Sequence, residues 1–418
     1  MMPTAKCGGG TMTALADRGA ATVARPPDAA LLPVPRRETR AEELQLQIER
    51  LMPRLRIAVI FGGSKTAAGA VINRTVNPRP WKSYESVALD IAAALRRIGF
   101  RQVEVLPEDM QLGQRLRRAG SHLAWLNSGG VQGYGAIAHG AALLEMLGVP
   151  YVGHDPLAAG ILDHKHLFKR ELQALGLPTA PFAVWHAAKG PFRPERCARF
   201  RQTFGDHAGP FVVKPASGRA SHNVSVVDDP AALGEAVDAL AQATENHVLV
   251  ETYLPGREFC VAVCGPVIAR SGRLERRNQA FTFATLERLL APDERIFTSM
   301  DLRPITRDRM RLLDPARDAA DLARLEDLAL RVFSETDLET LVRLDIRADG
   351  AGALHVLEAN PKPDLTAPRP DRTSLVASGL AAHGLSYDDL ILSLLADRID
   401  LLFSHRRGTV SHLAALLN

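Results

Sequence analysis

The chain has 418 residues, of which 46% are hydrophobic and 23% are charged, and its formal net charge is +4. These values are typical of a globular protein of two or three domains. Basic and acidic side chains are nearly balanced, at 51 against 47, so charge gives no reason to expect nucleic acid or an anionic membrane as a partner. No apolar run approaches the roughly 18 residues of a membrane span, and the four cysteines lack metal-type spacing, so we expect a cytoplasmic protein.

Residues 1–55 are expected to form a disordered tail that ends in a short helix. Gly, Ala, Thr, Pro and Arg dominate residues 1–37, and no apolar periodicity is present. The apolar core of a secretory peptide is missing, whereas an organelle transit peptide stays open as an alternative. The stretch "ETRAEELQLQIERL" (38–51) then has helical spacing.

Residues 56–155 alternate between strand-like and helical segments. The strand-like stretches "RIAVIF", "RQVEVL" and "SHLAWLN" are each followed by a helical one, such as "SYESVALDIAAALRRIG". This alternation predicts an N-terminal Rossmann-like α/β domain, with a parallel sheet covered on both faces. Glycine-rich loops such as "SGGVQGYG" follow the strands, at the sheet edge where such folds bind ligands.

The rest of the chain is richer in strands and predicts an α+β arrangement. A helical stretch, "LAAGILDHKHLFKRELQALG", opens it, and a second helix is expected at about 318–336. We divide this part into a central unit (156–265), a C-terminal unit (266–400) and an extension (401–418).

The segment "HVLEANPKPDLT" (355–366) ends a strand-like run with Glu358 and Asn360 two positions apart. In a strand these side chains point to the same face. Just upstream, "LVRLDIRADG" places Arg343 and Asp345 on one face and ends at a plausible hairpin turn. Because Mg²⁺ prefers oxygen ligands, Asp345, Glu358 and Asn360 on paired strands suit a magnesium site. The alternative is a solvated edge hairpin.

Charged residues also stand where other strands end. Lys214 closes "FVVK", Glu251 closes "HVLVE", and Glu258 follows in "TYLPGRE". Lys165 lies in the helical stretch "DHKHLFKR". Two lysines, a hinge peptide with nearby carboxylates and an Asp/Glu/Asn group are the groups that a nucleotide site needs.

Together these stretches resemble the D-alanine–D-alanine ligase-like branch of the ATP-grasp ligases. The matching stretches run in family order over about residues 56–395. They are highly specific as a set, although none is so alone. The resemblance implies an ATP-grasp fold with an N-terminal Rossmann-like (pre-ATP-grasp) domain. The stretches are "IAVIFGG", "LLEMLGVPYVG", "ILDHKHLFKRELQALGLPTAP", "FVVKPASG", "VETYLPGREF", "VRLDIRADG" and "LEANPKPDLT".

The resemblance assigns a role to each matching residue. Lys165 and Lys214 would contact the ATP phosphates, and Arg343 would steady the transferring phosphoryl group. Only eight lysines occur in the chain, and two of them fall at these phosphate positions. The remaining roles are an adenine hinge at Glu251, Thr252, Tyr253 and Leu254, ribose binding by Glu258, and ligation of Mg²⁺ (or Mn²⁺) by Asp345, Glu358 and Asn360.

The phosphate loop "KPASGRASHNVSVV" departs from the family pattern Gly-Ser-Ser-x-Gly. By position, Arg219 stands where the family has a glycine, and Ser221 stands at the second serine. Losing glycines limits close approach of the backbone to the phosphates. Arg219 or His222 is therefore a candidate to bring charge there, with Arg219 and Ser221 expected to take part in catalysis. The alternative is a surface loop that has drifted.

The substrate side of the resemblance departs in three places. An insertion after the first strand leaves Glu85 as the nearest candidate to bind an amino group, although a role in the first helical turn is equally open. Residues 266–312 lack the family's tyrosine–lysine pair, and Asp364 replaces the glycine of a Pro-Gly step. Asn127 and Ser374 are the other substrate-binding candidates.

From these features we predict an ADP-forming carboxylate–amine ligase that works through an acyl phosphate. Its substrates would be a small carboxylate and an amine, amino-acid-like but other than the D-alanine pair, and the family implies a homodimer. One alternative is transfer of the activated acid to a carrier protein, which the arginine-rich loops would then dock. A second alternative is a non-catalytic nucleotide-binding module.

Overall fold

The structure is a computed structural model. The predicted tail at 1–37 lies outside the part of the chain that the structure describes, and so does the phosphate loop at Arg219 to Ser221. The residues described are 40–75, 81–218, 222–296, 307–369, 373–406, 408 and 410–417.

The first sheet has four parallel strands in the order β2-β1-β3-β4. Strand β1 is buried along most of its length because helices cover both faces, which confirms the predicted Rossmann-like arrangement. The elements of this layer are α1 (Ala41–Leu51), β1 (Arg56–Gly62), α2 (Glu85–Ile98), β2 (Gln102–Glu108), α3 (Leu112–Ala119), β3 (Leu123–Asn127), α4 (His139–Leu147) and β4 (Tyr151–Val152).

The helical stretch after β4 is divided into two helices, α5 (Pro156–Asp163) and α6 (Lys165–Ala174). The division falls at His164, whose backbone is extended (φ −98°, ψ 92°) and forms a β-bridge with Ser217. Our prediction of one continuous helical stretch missed this break, because the bridging partner is distant in sequence. The break makes Lys165 the first residue of α6 and brings it to the loop after Lys214.

The second sheet has four antiparallel strands in the order β5-β8-β6-β7. An aromatic cluster on one side of this sheet, built from Phe192, Phe200, Phe204 and Phe211, forms its core with α7 and α8. Its elements are β5 (Phe182–Trp185), α7 (Ala198–Phe204), β6 (Phe211–Pro215), β7 (Ser225–Val227), α8 (Leu233–Thr244) and β8 (Val248–Thr252).

The third sheet has five antiparallel strands in the order β13-β12-β9-β14-β15. The predicted hairpin is its β14–β15 pair, in which Asp345 lies opposite Glu358 and Arg343 lies opposite Asn360. The elements from β9 onward are β9 (Glu258–Cys264), β10 (Val267–Arg270), β11 (Arg273–Arg276), β12 (Phe281–Arg288), β13 (Met310–Leu312), α9 (Ala319–Glu335), β14 (Val342–Ala348), β15 (Leu354–Asn360), α10 (Tyr387–His405) and α11 (Ser411–Ala414).

Helix α10 joins the first layer to the C-terminal part of the chain. It packs against β10 and α2, and most of its residues are buried. Its start is fixed by a capping box, in which the Ser386 and Asp389 side chains each bond the other residue's backbone N–H. Among the described residues, no helix combines the length and the apolar character that crossing a bilayer requires.

Candidate active site

One face of the five-stranded sheet carries three of the predicted site residues, Glu258, Asp345 and Glu358. Residues that lie directly opposite each other on neighbouring strands point to the same face, so the strand register places them in rows. The first row contains Met310, Arg288, Glu258 and Arg347. The second row contains Leu312, Leu286, Cys260, Asp345 and Glu358.

Asp345 lies at the centre of this face and is held by two arginines. Its Oδ1 accepts from Arg343 Nε at 2.8 Å, and its Oδ2 accepts from Arg343 and from Arg288, each at 3.0 Å. Burial alone would raise the pKa of this carboxyl, but the two guanidinium groups outweigh it and hold the pKa at about 2. Asp345 is therefore a carboxylate at any physiological pH.

Glu358 lies opposite Asp345, and Asn360 follows two positions later on β15, where its Oδ1 accepts from the Lys362 N–H at 3.2 Å. Glu358 Oε2 lies 2.9 Å from Lys165 Nζ, which also donates to the carbonyl of Gly218 at 3.0 Å. Two carboxylates and one amide oxygen on adjacent strand positions are too few for a closed metal cage. They fit Mg²⁺ well, because that ion usually keeps water and substrate phosphates among its ligands.

Lys169, Lys214 and Glu251 form a second, buried charge cluster. Glu251 Oε1 lies 2.5 Å from Lys214 Nζ, and Glu251 Oε2 lies 3.1 Å from Lys169 Nζ. Lys169 Nζ also donates to Thr179 Oγ1 at 2.6 Å, which donates in turn to the carbonyl of Val356 on β15. The cluster thus ties α6, the second sheet and the third sheet together.

The two lysines of the cluster have pKa values shifted in opposite directions. Burial lowers the pKa of Lys169 to about 8, even though Glu251 is adjacent. Burial also acts to lower the pKa of Lys214, but the carboxylates of Glu251, Glu358 and Glu258 together outweigh it and the pKa is raised. Lys214 therefore remains a firm cation at the cleft.

A cleft between the second and third sheets brings nine of the predicted residues together. Val212 and Leu254 from the second sheet and Leu357 from the third supply apolar walls. Lysines engage the Glu251 carboxylate, and the N–H groups of Thr252 and Tyr253 donate to the carbonyls of Pro181 and Pro210, each at 3.1 Å. The nine residues are Lys165, Lys214, Glu251, Thr252, Tyr253, Leu254, Glu258, Asp345 and Glu358.

Three charged residues of the site were missed from the sequence, Lys169, Arg288 and Arg347. Arg288 lines the cleft and joins two of the predicted carboxylates, donating to Glu258 Oε1 at 2.8 Å and to Asp345 Oδ2 at 3.0 Å. It ends a strand, as Lys214 does, and that position is the signal that could have found it. Strand β12 contains a bulge at Ala284 (φ 52°). The bulge shifts the register of the strand, so counting alternate residues does not predict which face of the sheet Arg288 points to.

The predicted substrate-binding residues do not line this cleft. Glu85 is exposed and begins α2, while Asn127 is buried and donates to the carbonyl of Tyr84 at 3.2 Å. Asp364 accepts from the Thr366 N–H at 2.9 Å, and Ser374 Oγ accepts from the Ala377 N–H at 3.0 Å. Asn127, Asp364 and Ser374 therefore have local bonding roles, and the substrate role of all four residues stays a prediction.

Fold and site together define a class of protein. Two antiparallel sheets enclose a cleft with buried lysines, a hinge segment and arginine-held carboxylates, which is the arrangement of an ATP-grasp ligase. The family model described as "D-ala D-ala ligase C-terminus" matches residues 172–396. The chain belongs to the D-alanine–D-alanine ligase-like family of the ATP-grasp superfamily, as the sequence resemblance predicted.

Individual relatives agree with this assignment. The D-alanine–D-alanine ligase of Synechococcus sp. strain JA-3-3Ab is 29% identical over 309 residues, which is 73% of this chain and 86% of that protein. Among solved structures, a Bacillus anthracis D-alanine–D-alanine ligase complexed with ATP has a TM-score of 0.57 at 19% identity, covering 83% of this chain and 98% of that one. VanG D-Ala:D-Ser ligase from Enterococcus faecalis has a TM-score of 0.57 at 18% identity, covering 82% and 99%.

Proposed function

We propose that this protein joins a carboxylate to an amine with ATP, through an acyl phosphate, and releases ADP and phosphate. One observation carries the proposal most strongly. Asp345 and Glu358 stand side by side on paired strands, with Arg288, Arg343 and Lys165 at 2.8–3.0 Å from their oxygens. Cations gathered around a pair of metal-ligating carboxylates suit the transfer of a phosphoryl group.

ATP would occupy the cleft between the two sheets. The hinge at Glu251 to Leu254 would bind the base, Glu258 the ribose hydroxyls, and Lys165 and Lys214 the phosphates. Mg²⁺ (or Mn²⁺) held by Asp345, Glu358 and Asn360 would neutralise charge on the phosphates when bound. Support comes from the ATP complex of the Bacillus anthracis relative, which has the same fold.

The reaction requires positioning and charge rather than a protein nucleophile. A carboxylate oxygen of the acid attacks the γ-phosphorus, the bond to the β-phosphate oxygen breaks, and ADP leaves. The amine then attacks the acyl carbon and phosphate leaves with the acid's oxygen. Cys260, a side chain that could act as a nucleophile, lies opposite Asp345 on the neighbouring strand. Burial raises the pKa of its thiol to about 12, so it stays protonated.

The substrates we propose are amino acids or close analogues other than two D-alanines. Asp364 in place of the family's glycine, together with the absent tyrosine–lysine pair, supports a change at the substrate end. VanG, named for D-Ala:D-Ser, is a family member whose second substrate differs from D-alanine. Relatives that are named as ligases give no support to a carrier-protein acceptor or to a non-catalytic module. A homodimer is also proposed, and light scattering would test it.

Hydroxylamine trapping tests the function without knowledge of the amine. The enzyme is incubated with Mg-ATP, hydroxylamine and a panel of amino acids of both chiralities, and ADP and hydroxamate are measured together. We expect equal amounts of both with at least one acid, and on the order of 100-fold less of both with the Glu358→Gln variant. Tight ATP binding without hydroxamate from any acid would contradict carboxylate activation and favour a non-catalytic module.

A further inference from the structure

A second cavity lies on the same face of the five-stranded sheet. It has a volume of about 460 Å³, and it is lined by β12, β13 and the segment that leads into α10. Its walls are largely apolar. The apolar residues that form them include Leu286, Met310, Leu312, Ala377, Leu380 and Leu385.

The strand register connects this cavity directly to the candidate active site. Leu286 of the cavity lies opposite Cys260, and Cys260 lies opposite Asp345. Neighbouring strands are roughly 4.8 Å apart, so the cavity wall begins about 10 Å from the Asp345 position. Two positions beyond Leu286 on the same strand, Arg288 lines the nucleotide cleft. One strand therefore contributes to both spaces.

The chemistry of the cavity selects for a large apolar group. Among the described residues that line it, only Arg369 is charged, and its guanidinium bonds Asp90 on α2 at 2.6 Å. An apolar cavity of roughly 150 Å³ is enough for a benzene ring. The volume here is three times that, so size does not exclude a leucine or phenylalanine side chain, whereas a charged side chain would lose its hydration and meet no unpaired opposite charge among the described lining residues.

We propose that this cavity holds the side chain of one of the two joined amino acids, and that this substrate is of the leucine or phenylalanine class. The inference rests on the proposed ligase function and adds the substrate class to it. An alanine methyl would leave most of the cavity unfilled. Removing a large apolar side chain from water would therefore favour the bulky substrate in kcat/KM.

A variant with a larger side chain at the rim of the cavity, together with a matched control variant, tests the assignment. Ala381 and Ala382 are adjacent and exposed in one short 3-10 turn, but only Ala381 lines the cavity. ADP release is measured with leucine, phenylalanine and alanine in two arrangements. In the first, each amino acid is the acid and hydroxylamine replaces the amine. In the second, each amino acid is the amine and the acid is the one that supports hydroxamate formation. We expect wild type to favour the bulky residue at least tenfold in kcat/KM in one of the two positions. Ala381→Phe should abolish that preference and leave alanine within twofold, whereas Ala382→Phe should leave both unchanged.

Two results would overturn the subsite. The first is a wild-type preference for alanine or polar residues, and the second is an equal loss for all substrates in Ala381→Phe. ADP release with alanine alone would refute the subsite but keep the ligase function. If no pair gives ADP, the ligase function fails, and calorimetry with leucine, Mg²⁺ and a non-hydrolysable ATP analogue still decides the subsite. Leucine binding that Ala381→Phe weakens would support it, and no binding would overturn it.

Discussion

Among the described residues, Glu251 is the carboxylate that forms ion pairs with both buried lysines, so its neutralisation should have a large and specific effect. Its side chain and those of Lys169 and Lys214 are only 3%, 0% and 7% exposed. The Glu251→Gln variant keeps the shape of the side chain but leaves two facing ammonium groups without a carboxylate. Removing one partner of a buried ion pair costs roughly 3–5 kcal/mol in the free energy of unfolding.

Lys169 sets a limit to that cost. Its pKa is already about 8, so releasing its proton at pH 7 costs about 1.4 kcal/mol in the wild type, and less once Glu251 is neutral. We therefore expect a loss of about 3 kcal/mol in Glu251→Gln at pH 7, together with a raised KM for ATP. Because the unfolded chain then binds more protons than the folded one, the deficit should shrink as the pH rises from 6 to 9.

Urea unfolding of Glu251→Gln, Lys169→Met and the double variant measures these terms. In the double variant Lys214 no longer faces a second ammonium group, so the double variant should be at least 1 kcal/mol more stable than the sum of the single losses implies. Strictly additive losses, or a loss below about 0.5 kcal/mol in Glu251→Gln, would refute the idea that this carboxylate holds both lysines.

Three further predictions follow from the same contacts. Burial raises the pKa of Glu108 from 4.5 to about 7, so its ionisation costs about 3 kcal/mol of stability as the pH rises through this window. The Glu108→Gln variant should therefore have a higher melting temperature than wild type at pH 8 and a similar one at pH 5. An equal difference in melting temperature at both pH values would contradict this. Glu358→Gln should lower ADP release on the order of 100-fold at an unchanged urea midpoint, and near-normal turnover would rule out its metal role. Arg288→Met leaves Glu258 and Asp345 facing each other, so the KM for ATP should rise at least tenfold, whereas an unchanged KM would separate Arg288 from the nucleotide site.

Local periodicity was enough to predict the parts of the site that lie on one element or on one hairpin. The two-residue spacing of Glu358 and Asn360, and that of Arg343 and Asp345, places each pair on one face whatever the rest of the chain does. Antiparallel pairing of β14 with β15 then brings the pairs together. Strand-end positions likewise indicated Lys214 and Glu251.

The missed features depend on contacts between distant segments. Lys169 reads as one more polar residue of an amphipathic helix, and only packing reveals that it lies against Glu251 of β8 and Thr179. The break at His164 depends on a bridge to Ser217, 53 residues later. Arg288 faces the site only because the bulge in β12 shifts its register. The apolar cavity has walls from segments nearly 100 residues apart, and no linear pattern marks it.

Transfer of carboxylate oxygen to phosphate tests the central claim most directly. The acid that supports hydroxamate formation is prepared with ¹⁸O in its carboxylate and turned over with unlabelled ATP and amine, and the released phosphate is analysed by mass spectrometry. If the acid attacks the γ-phosphorus, each phosphate carries one acid-derived oxygen. Phosphate without the label, released alongside ADP, would mean that water attacks ATP and that the protein does not activate a carboxylate.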